Sequence, residues 1–209
     1  GIRPDILSAL YLEGYPRSCT IHNYAYDDYP MKHGTLLGYP MAWLHLRAIS
    51  RIEHPVACSR SISAELVPHK IDIEVIQNGV DTERYRPASA PKKRRVRAKL
   101  NLPEEGHITV TVGSLIPRKE TETVIEGFPE GREEKNLLLI LGDGPLRDKC
   151  ERLVEDSDAD IRLLGHVENV GSYLQAADLF VSASRAEGLP YTVMEALSTG
   201  LPVVLSDIP

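Results

Sequence analysis

Ile108-Thr109-Val110-Thr111-Val112 and Leu137-Leu138-Leu139-Ile140-Leu141 are the two runs whose reading decides the fold of this chain. Both are short, continuously apolar or β-branched, and bounded by turn residues, so they read as buried strands. A helix is expected between them over residues 120–128. The alternation continues with a helix over 146–154, the strand Ile161-Arg162-Leu163-Leu164, and a helix over 172–177. The strand Asp178-Leu179-Phe180-Val181-Ser182, one more helix, and Pro202-Val203-Val204-Leu205 complete it. Strands with little polar alternation, separated by helices, form a parallel sheet covered on both faces. Ligands of such sheets sit outside the carboxyl ends of the strands.

The strand Asp178–Ser182 leads into Glu187-Gly188-Leu189-Pro190-Tyr191-Thr192-Val193-Met194-Glu195 and then Ala196-Leu197-Ser198-Thr199-Gly200. This reads as strand, tight glycine-bearing turn, helix. Pro190 suits the first turn of the helix, and Gly200 suits its end. Free N–H groups at such a helix start favour an anion. Glu195 falls one turn in, on the face of Tyr191 and Thr192, and Glu187 falls just before the turn. Carboxylates are poor partners for phosphate and good acceptors for sugar hydroxyls. The pair therefore suits a ligand that carries both.

Working outward, Gly113 ends the first strand and allows close approach of a ligand. Arg118 and Lys119 follow it and can supply positive charge. Gly142-Asp143-Gly144-Pro145 and Gly165-His166-Val167 are the turns after the next two strands. Pro91-Lys92-Lys93-Arg94-Arg95-Val96-Arg97 matches a nuclear-localisation or nucleic-acid patch. It continues into a helix with Val96 and Leu100 facing inward, so it reads as a solvated face.

Nearer the start, a short amphipathic helix is expected over residues 3–12, entered through Pro4-Asp5 and stopped at Gly14. Ser18-Cys19-Thr20-Ile21-His22 reads as a strand with His22 at its carboxyl end. Residues 23–38, rich in Tyr and Asp, read as an irregular loop. A helix over 40–53 would turn Met41, Leu44, Ala48 and Ile52 inward and leave Trp43, His45 and Arg47 off that stripe. Pro55-Val56-Ala57-Cys58-Ser59 is a short strand, after which Ser59 or Ser61 caps a helix to Leu66. A linker at 67–70 precedes the half-buried strand Ile71-Asp72-Ile73-Glu74-Val75-Ile76. Asn78-Gly79 is a turn signal.

The formal charge of −6 over 209 residues argues against general nucleic-acid binding. No apolar run is long enough to span a membrane, and the first residues show no leader pattern. Peripheral membrane contact is compatible with both observations. Cys19, Cys58 and Cys150 lack metal-ligand spacing and read as reduced, mostly buried thiols of a cytoplasmic protein. No G-x-G-x-x-G follows the first strand, which disfavours a dinucleotide dehydrogenase.

Taken together, the E-x7-E pattern from Glu187 to Glu195, Asn78-Gly79-Val80-Asp81 with Arg86-Pro87, Val112-Gly113-Ser114-Leu115 ahead of Arg118-Lys119, Leu141-Gly142-Asp143-Gly144-Pro145 and Leu164-Gly165-His166-Val167 resemble the retaining family-4 glycosyltransferases, the glycosyl transferases group 1. The resemblance implies an α/β GT-B fold. Residues 67–209 would be a Rossmann-like, nucleotide-sugar-binding C-terminal domain truncated at its end. Residues 1–66 would be the remnant of an acceptor-side, Rossmann-like N-terminal domain.

It further implies a hexosyltransferase-like enzyme that moves a sugar from a UDP- or GDP-sugar to a glycan, lipid-linked or small-molecule acceptor. No metal and no further cofactor are expected. Glu187, His22 and Lys119 would be catalytic: Glu187 toward the sugar hydroxyls, His22 toward sugar or phosphate, Lys119 toward the leaving diphosphate. Gly113, Arg118, Gly142, His166, Val167, Gly188, Leu189, Thr192 and Glu195 would complete the donor site with Lys119, Glu195 accepting from the ribose. Transfer would proceed on one face through an oxocarbenium-like state, the leaving phosphate helping to deprotonate the acceptor.

Two departures stand out. Many relatives carry Arg where this chain has Ser114. A charged hydrogen bond is worth about 1.5–3 kcal/mol, so its loss would weaken donor binding about ten- to a hundredfold unless Arg118 compensates. Relatives also run to roughly twice this length, so the chain is expected to be a fragment. The competing reading is therefore a catalytically incomplete sugar-nucleotide-binding or docking fragment. A sugar-nucleotide epimerase of the same architecture is disfavoured by Glu-Gly-Leu-Pro within the E-x7-E.

Overall fold

Two parallel β-sheets, one in each of two compact units, order the chain. The computed structural model describes residues 1–128 and 135–208; Pro209, the expected last residue of the C-terminal domain, lies outside them. The first unit holds Gly1–Asn78, Ala186–Pro190 and Ile208, the second Gly79–Arg185 and Tyr191–Asp207. The break thus falls after Asn78, where the sequence placed it between Leu66 and Val67. The physical reason is the strand beyond the linker, which hydrogen-bonds to the first sheet.

In the first unit, α1 (Ile2–Tyr11) is followed by β1 (Ser18–Ile21), α2 (Ala25–His33), α3 (Thr35–Ile49), β2 (His54–Ala57), α4 (Arg60–Leu66) and β3 (Glu74–Val75). The strand order is β1-β2-β3, with Ser18 opposite His54 and Ala57 opposite Val75. Ile21, Leu46, Ile49, Ile62 and Leu66 form its core. Of the two candidate caps, Ser59 is the one used: its Oγ accepts from the N–H of Ile62 at 3.2 Å.

Three expectations for this unit are corrected. The first concerns α1, which begins at Ile2, ahead of Pro4, and buries none of its residues. The second concerns residues 23–38, which are helical rather than irregular: α2 spans most of them, and Gly34, at φ 75°, separates it from α3. Ala25 is buried and Tyr24, Tyr26 and Tyr29 pack on the core. Asp27 and Asp28 in the first turn and Lys32 and His33 in the last complement the helix dipole. Gly38 permits the close crossing of α2 and α3, since a Cβ there would lie 2.4 Å from the Pro30 backbone.

The third concerns the inward face of α3, which is Gly38, Ala42, His45, Leu46, Ala48 and Ile49, while Leu44 is exposed. His45 turns inward because its polar atoms are matched. Nε2 stands 2.7 Å from the Asp5 carboxylate and Nδ1 2.8 Å from the Tyr29 hydroxyl. Burial pushes the His45 pKa down against the opposing pull of Asp5, so the neutral ring donates to Asp5 and accepts from Tyr29. The unfolded chain then takes up this proton at a higher pH than the folded one. Stability should fall as pH drops below the ordinary histidine value of about 6.5. Comparing urea midpoints of wild type and His45→Gln across that range checks this, the wild type losing the more.

The second unit contains α5 (Ala90–Lys99), β4 (His107–Val112), α6 (Thr121–Glu126), β5 (Asn136–Leu141), α7 (Arg147–Glu155) and β6 (Asp160–Gly165). α8 (Val170–Ala176), β7 (Leu179–Ser182), α9 (Tyr191–Ser198) and β8 (Val203–Leu205) follow. Its parallel sheet has the order β6-β5-β4-β7-β8. Leu137, Leu139 and Leu141 face Leu174, Phe180 and Ala196 on one side; Leu138 and Ile140 face Val124, Ile125 and Cys150 on the other. That division explains why β5 is apolar without alternation.

The helix of basic residues is also corrected: α5 is not wholly solvated. Arg97 is buried, donating from Nε to Ala176 O at 2.9 Å, from NH1 to the carbonyls of Glu104 and Gly106, and from NH2 to Asp178 at 2.7 Å. Lys93 donates to the other oxygen of Asp178. These charges are internal staples.

Candidate functional site

β4 is central, and the strand order reverses beside it, with β5 and β6 on one side and β7 and β8 on the other. The carboxyl end of β4 is therefore the topological switch point, where doubly wound sheets take their ligands. There the turns after three strands interlock through backbone. Gly113 N–H donates to Leu141 O at 2.9 Å, Leu115 N–H to Asp143 O at 3.0 Å, and Gly142 N–H to Gly165 O at 2.8 Å. Gly142 has φ 142°, and a Cβ on it would stand 1.8 Å from Gly113 O. No other residue fits.

These turns enclose a hollow of about 300 Å³ lined by Gly113, Ser114, Gly142, Asp143, His166 and Val167. Arg118 and Lys119 occupy a 3₁₀ turn from Pro117 to Lys119. The Lys119 chain lies over Gly113, its Cδ and Cε 3.6 Å from where a Cβ of Gly113 would be. Arg118 O accepts from Arg185 N–H at 2.9 Å, tying this turn to the segment after β7.

α9 carries Thr192 and Glu195 and ends as expected. Gly200, at φ 81°, donates to Leu197 O, and Leu201 donates to Ala196 O, the paired bonds of a Schellman cap. Glu195 accepts from the hydroxyl of buried Tyr85; burial, with Glu195 beside it, pushes the Tyr85 pKa up. Ser198 Oγ donates to Tyr85 O. Tyr85, which holds the Glu195 carboxylate, is a residue that the sequence reading missed; its place between Asp81 and Arg86-Pro87, within a quoted motif, was the available signal.

His22, Glu187, Gly188 and Leu189 lie in the first unit. His22 directly follows β1, and a Cβ on Gly188 would fall 1.9 Å from His22 O and 3.0 Å from Cys58 Sγ. The Asn78 amide donates to Leu189 O at 2.9 Å, and Leu189 packs on the core of this unit. The glycine turn is thus seated against the end of β1. A hollow of about 550 Å³ holds His22 with Asp28, Tyr29, Lys32 and His45. The candidate residues are thereby brought together in two sets, one in each unit.

A larger hollow, about 650 Å³, lies at the opposite edge of the second sheet, against Asn136, Leu137 and Asp160. It sits where strands begin, so the smaller hollow at the strand ends is the candidate site. The Asp-x-Asp steps Asp156–Asp158 and Asp158–Asp160 run from the end of α7 to the first residue of β6, at that same opposite edge. Among the described residues, no three His, Cys, Asp or Glu side chains gather as a metal site. No helix among them is long and apolar enough to cross a membrane.

A parallel sheet with glycine turns interlocked at its switch point defines a doubly wound α/β protein. The comparisons narrow the class. Residues 106–209 match the family model described as glycosyl transferases group 1, and residues 2–84 that described as glycosyltransferase family 4. The chain is 27% identical to the O-antigen biosynthesis glycosyltransferase WclY of Escherichia coli, over all of this chain and 60% of that protein. It is 29% identical to the Escherichia coli UDP-Gal:alpha-D-GlcNAc-diphosphoundecaprenol alpha-1,3-galactosyltransferase, over 90% of this chain and 51% of that one. Among solved structures, Anabaena HepE in complex with UDP-glucose superimposes with TM-score 0.81 at 17% identity, covering 99% of this chain and 58% of the other. WaaG, a glycosyltransferase involved in lipopolysaccharide biosynthesis, gives 0.77 at 21% identity, covering 92% and 56%. The chain belongs to the group 1, family-4 glycosyltransferases and has the α/β fold of their GT-B structures. It spans about 60% or less of the length of these relatives.

Proposed function

We propose that the chain carries the donor site of a retaining glycosyltransferase, which takes a sugar from a nucleoside-diphosphate sugar and passes it to a glycan, lipid-linked or small-molecule acceptor in the cytoplasm. The observation that carries this reading is the interlocked turn set of Gly113, Gly142 and Gly165 around a hollow, with Lys119 lying over Gly113. In it the nucleotide base meets the backbone at His166 and Val167, and Glu195, braced by Tyr85, accepts from the ribose hydroxyls. Thr192 adds a polar group one turn earlier on the same helix face.

Lys119 and Arg118 neutralise the diphosphate as its charge develops on leaving, which is electrostatic stabilisation of the transition state. Glu187 accepts from hydroxyls of the transferred sugar, His22 meets sugar or phosphate, and the N–H groups near Gly188 and Leu189 assist. The leaving phosphate takes the acceptor proton, so no protein nucleophile is invoked. The binding of UDP-glucose by HepE supports a uridine donor. The domain roles go with that reading: the second unit serves the donor and the first the acceptor, with the boundary after Asn78 in place of the expected one after Leu66. The second reading, a binding part without turnover, draws on the donor hollow being built wholly within one unit.

Calorimetric titration with UDP and GDP tests both readings. One nucleotide should bind, and Lys119→Ala should weaken it about ten- to a hundredfold, the value of a charged hydrogen bond. Glu195→Ala should weaken it as well. A folded protein that binds neither nucleotide would refute the donor site. Binding without release of free sugar or transfer to any acceptor would leave the binding part alone standing.

A further inference from the structure

We propose that Arg185 and Glu120 are positioning residues that hold Lys119 toward the diphosphate of the donor, an inference that rests on the donor site proposed above. Arg185, three residues past β7, grips the turn on both sides of Lys119. Its main-chain N–H donates to Arg118 O at 2.9 Å, and its Nε donates to Glu120 Oε1 at 2.6 Å. Glu120 Oε2 in turn accepts from Thr123 Oγ1 at 2.8 Å. Thr123 belongs to α6, which Val124 and Ile125 seat on the core. The turn that carries Lys119 is thus tied to the segment after β7 and to a packed helix.

The backbone of Glu120 points the same way. It stands at φ 49° and ψ 42°, the left-handed conformation that glycine takes freely and that residues with a Cβ rarely adopt. A strained residue of this kind persists only where its surroundings over-determine it. Here both carboxylate oxygens are engaged. Stability of the fold does not account for the arrangement, because the Arg185 side chain is 64% exposed and exposed pairs add little. What the pair fixes is direction. A lysine ammonium is a point charge on a flexible stem. The Lys119 stem lies over Gly113, so the place of its charge depends on the backbone from which the stem hangs.

Two simpler roles give different outcomes. A carboxylate beside a phosphate site repels the anion, so Glu120 acting by charge alone would oppose binding, and its removal would strengthen it. Arg185 acting as a direct phosphate ligand would be released, not impaired, by the loss of Glu120. As positioning residues the two act together, and loss of either weakens binding.

Calorimetry with the nucleoside diphosphate that binds, UDP or GDP, and with its nucleoside in competition, decides among these roles. Arg185→Ala keeps the main-chain bond and removes the ion pair. That variant and Glu120→Gly should each weaken diphosphate binding about fivefold, less than the whole of the Lys119 contribution. Combining them should weaken it no further, because each breaks the same bond. Nucleoside affinity should not change. Glu120→Gly relieves the left-handed strain, so its melting temperature should equal or exceed that of the wild type. Loosening of the fold would lower it instead. Glu120→Gln keeps an acceptor for Arg185 and should recover most of the affinity. In a Lys119→Ala background neither Glu120→Gly nor Arg185→Ala should matter. Unchanged or tighter binding by Glu120→Gly would overturn the proposal, as would losses that persist without Lys119 or extend to the nucleoside. If Lys119→Ala weakens binding and Glu120→Gly does not, the donor site stands and the positioning role alone falls. If the folded wild type binds neither nucleotide, both fall together.

Discussion

Arg97→Ala is expected to cost about 3–5 kcal/mol, the penalty for removing one partner of a buried ion pair, out of a total stability of about 5–15 kcal/mol. Arg97 is 4% exposed and donates to three carbonyls, those of Ala176, Glu104 and Gly106, as well as to Asp178. Asp178 in turn accepts from Lys93 and from the Ile108 N–H at the start of β4. Alanine would leave those carbonyls without this donor and half of the Asp178 charge unmatched. Burial alone would raise the Asp178 pKa, but the hydrogen bond from Lys93, the Ile108 N–H and the charges of Lys93 and Arg97 outweigh it and hold the pKa below its ordinary value.

A depressed carboxylate pKa stabilises the fold above the unfolded value, about 3.9, and that contribution is lost as pH falls through the lower folded value. Urea unfolding of wild type and variant should therefore differ most near neutral pH and converge in acid. A neutral-pH difference below about 1 kcal/mol, the range of exposed pairs, would mean that the network is a surface feature after all.

Gly142→Ala should be nearly as damaging and should also remove nucleotide binding. At φ 142° the new side chain is strained, at a cost of about 1–3 kcal/mol. Its Cβ would lie 1.8 Å from Gly113 O and 2.8 Å from Gly113 C, both backbone atoms that cannot turn aside. The end of β5 must then move away from β4, at about a further 1–3 kcal/mol, opening the hollow. Gly113→Ala is the informative contrast. Its Cβ would meet only methylene groups of Lys119, at 3.6 Å, an ordinary contact, so the fold should keep wild-type stability. If Gly113 is glycine because a ligand approaches it, that variant should lose nucleotide affinity without losing stability. Unchanged affinity would remove Gly113 from the donor site, and a wild-type melting temperature for Gly142→Ala would refute the steric argument.

The second unit was readable because its signals are local. Short apolar runs bounded by turn residues, such as Leu137–Leu141, read as strands buried on both faces, and Gly142, Gly165 and Gly200 mark the ends of elements by backbone geometry that few other residues adopt. The family motifs fall on those same ends. Elsewhere local signals misled. Residues 23–38 are rich in Tyr and Asp, which have weak helix propensity; they become helix because Tyr24, Tyr26 and Tyr29 find the core of the first unit. A charged run such as Lys92–Arg97 reads as solvated until its partner is known, and Asp178 lies 81 residues from Arg97.

The chain by itself thus determined its fold class, the order of the elements in its second unit, the turns that bound the hollow at the strand ends and the family to which it belongs, since each rests on neighbours within a few residues. Only the tertiary structure decided that His45 and Arg97 are internal, that Tyr85 braces Glu195, and that the Gly188 turn is seated against His22. Each of these is a contact between distant parts of the chain, and burial and hydrogen-bond matching there settle what a single residue's chemistry leaves open.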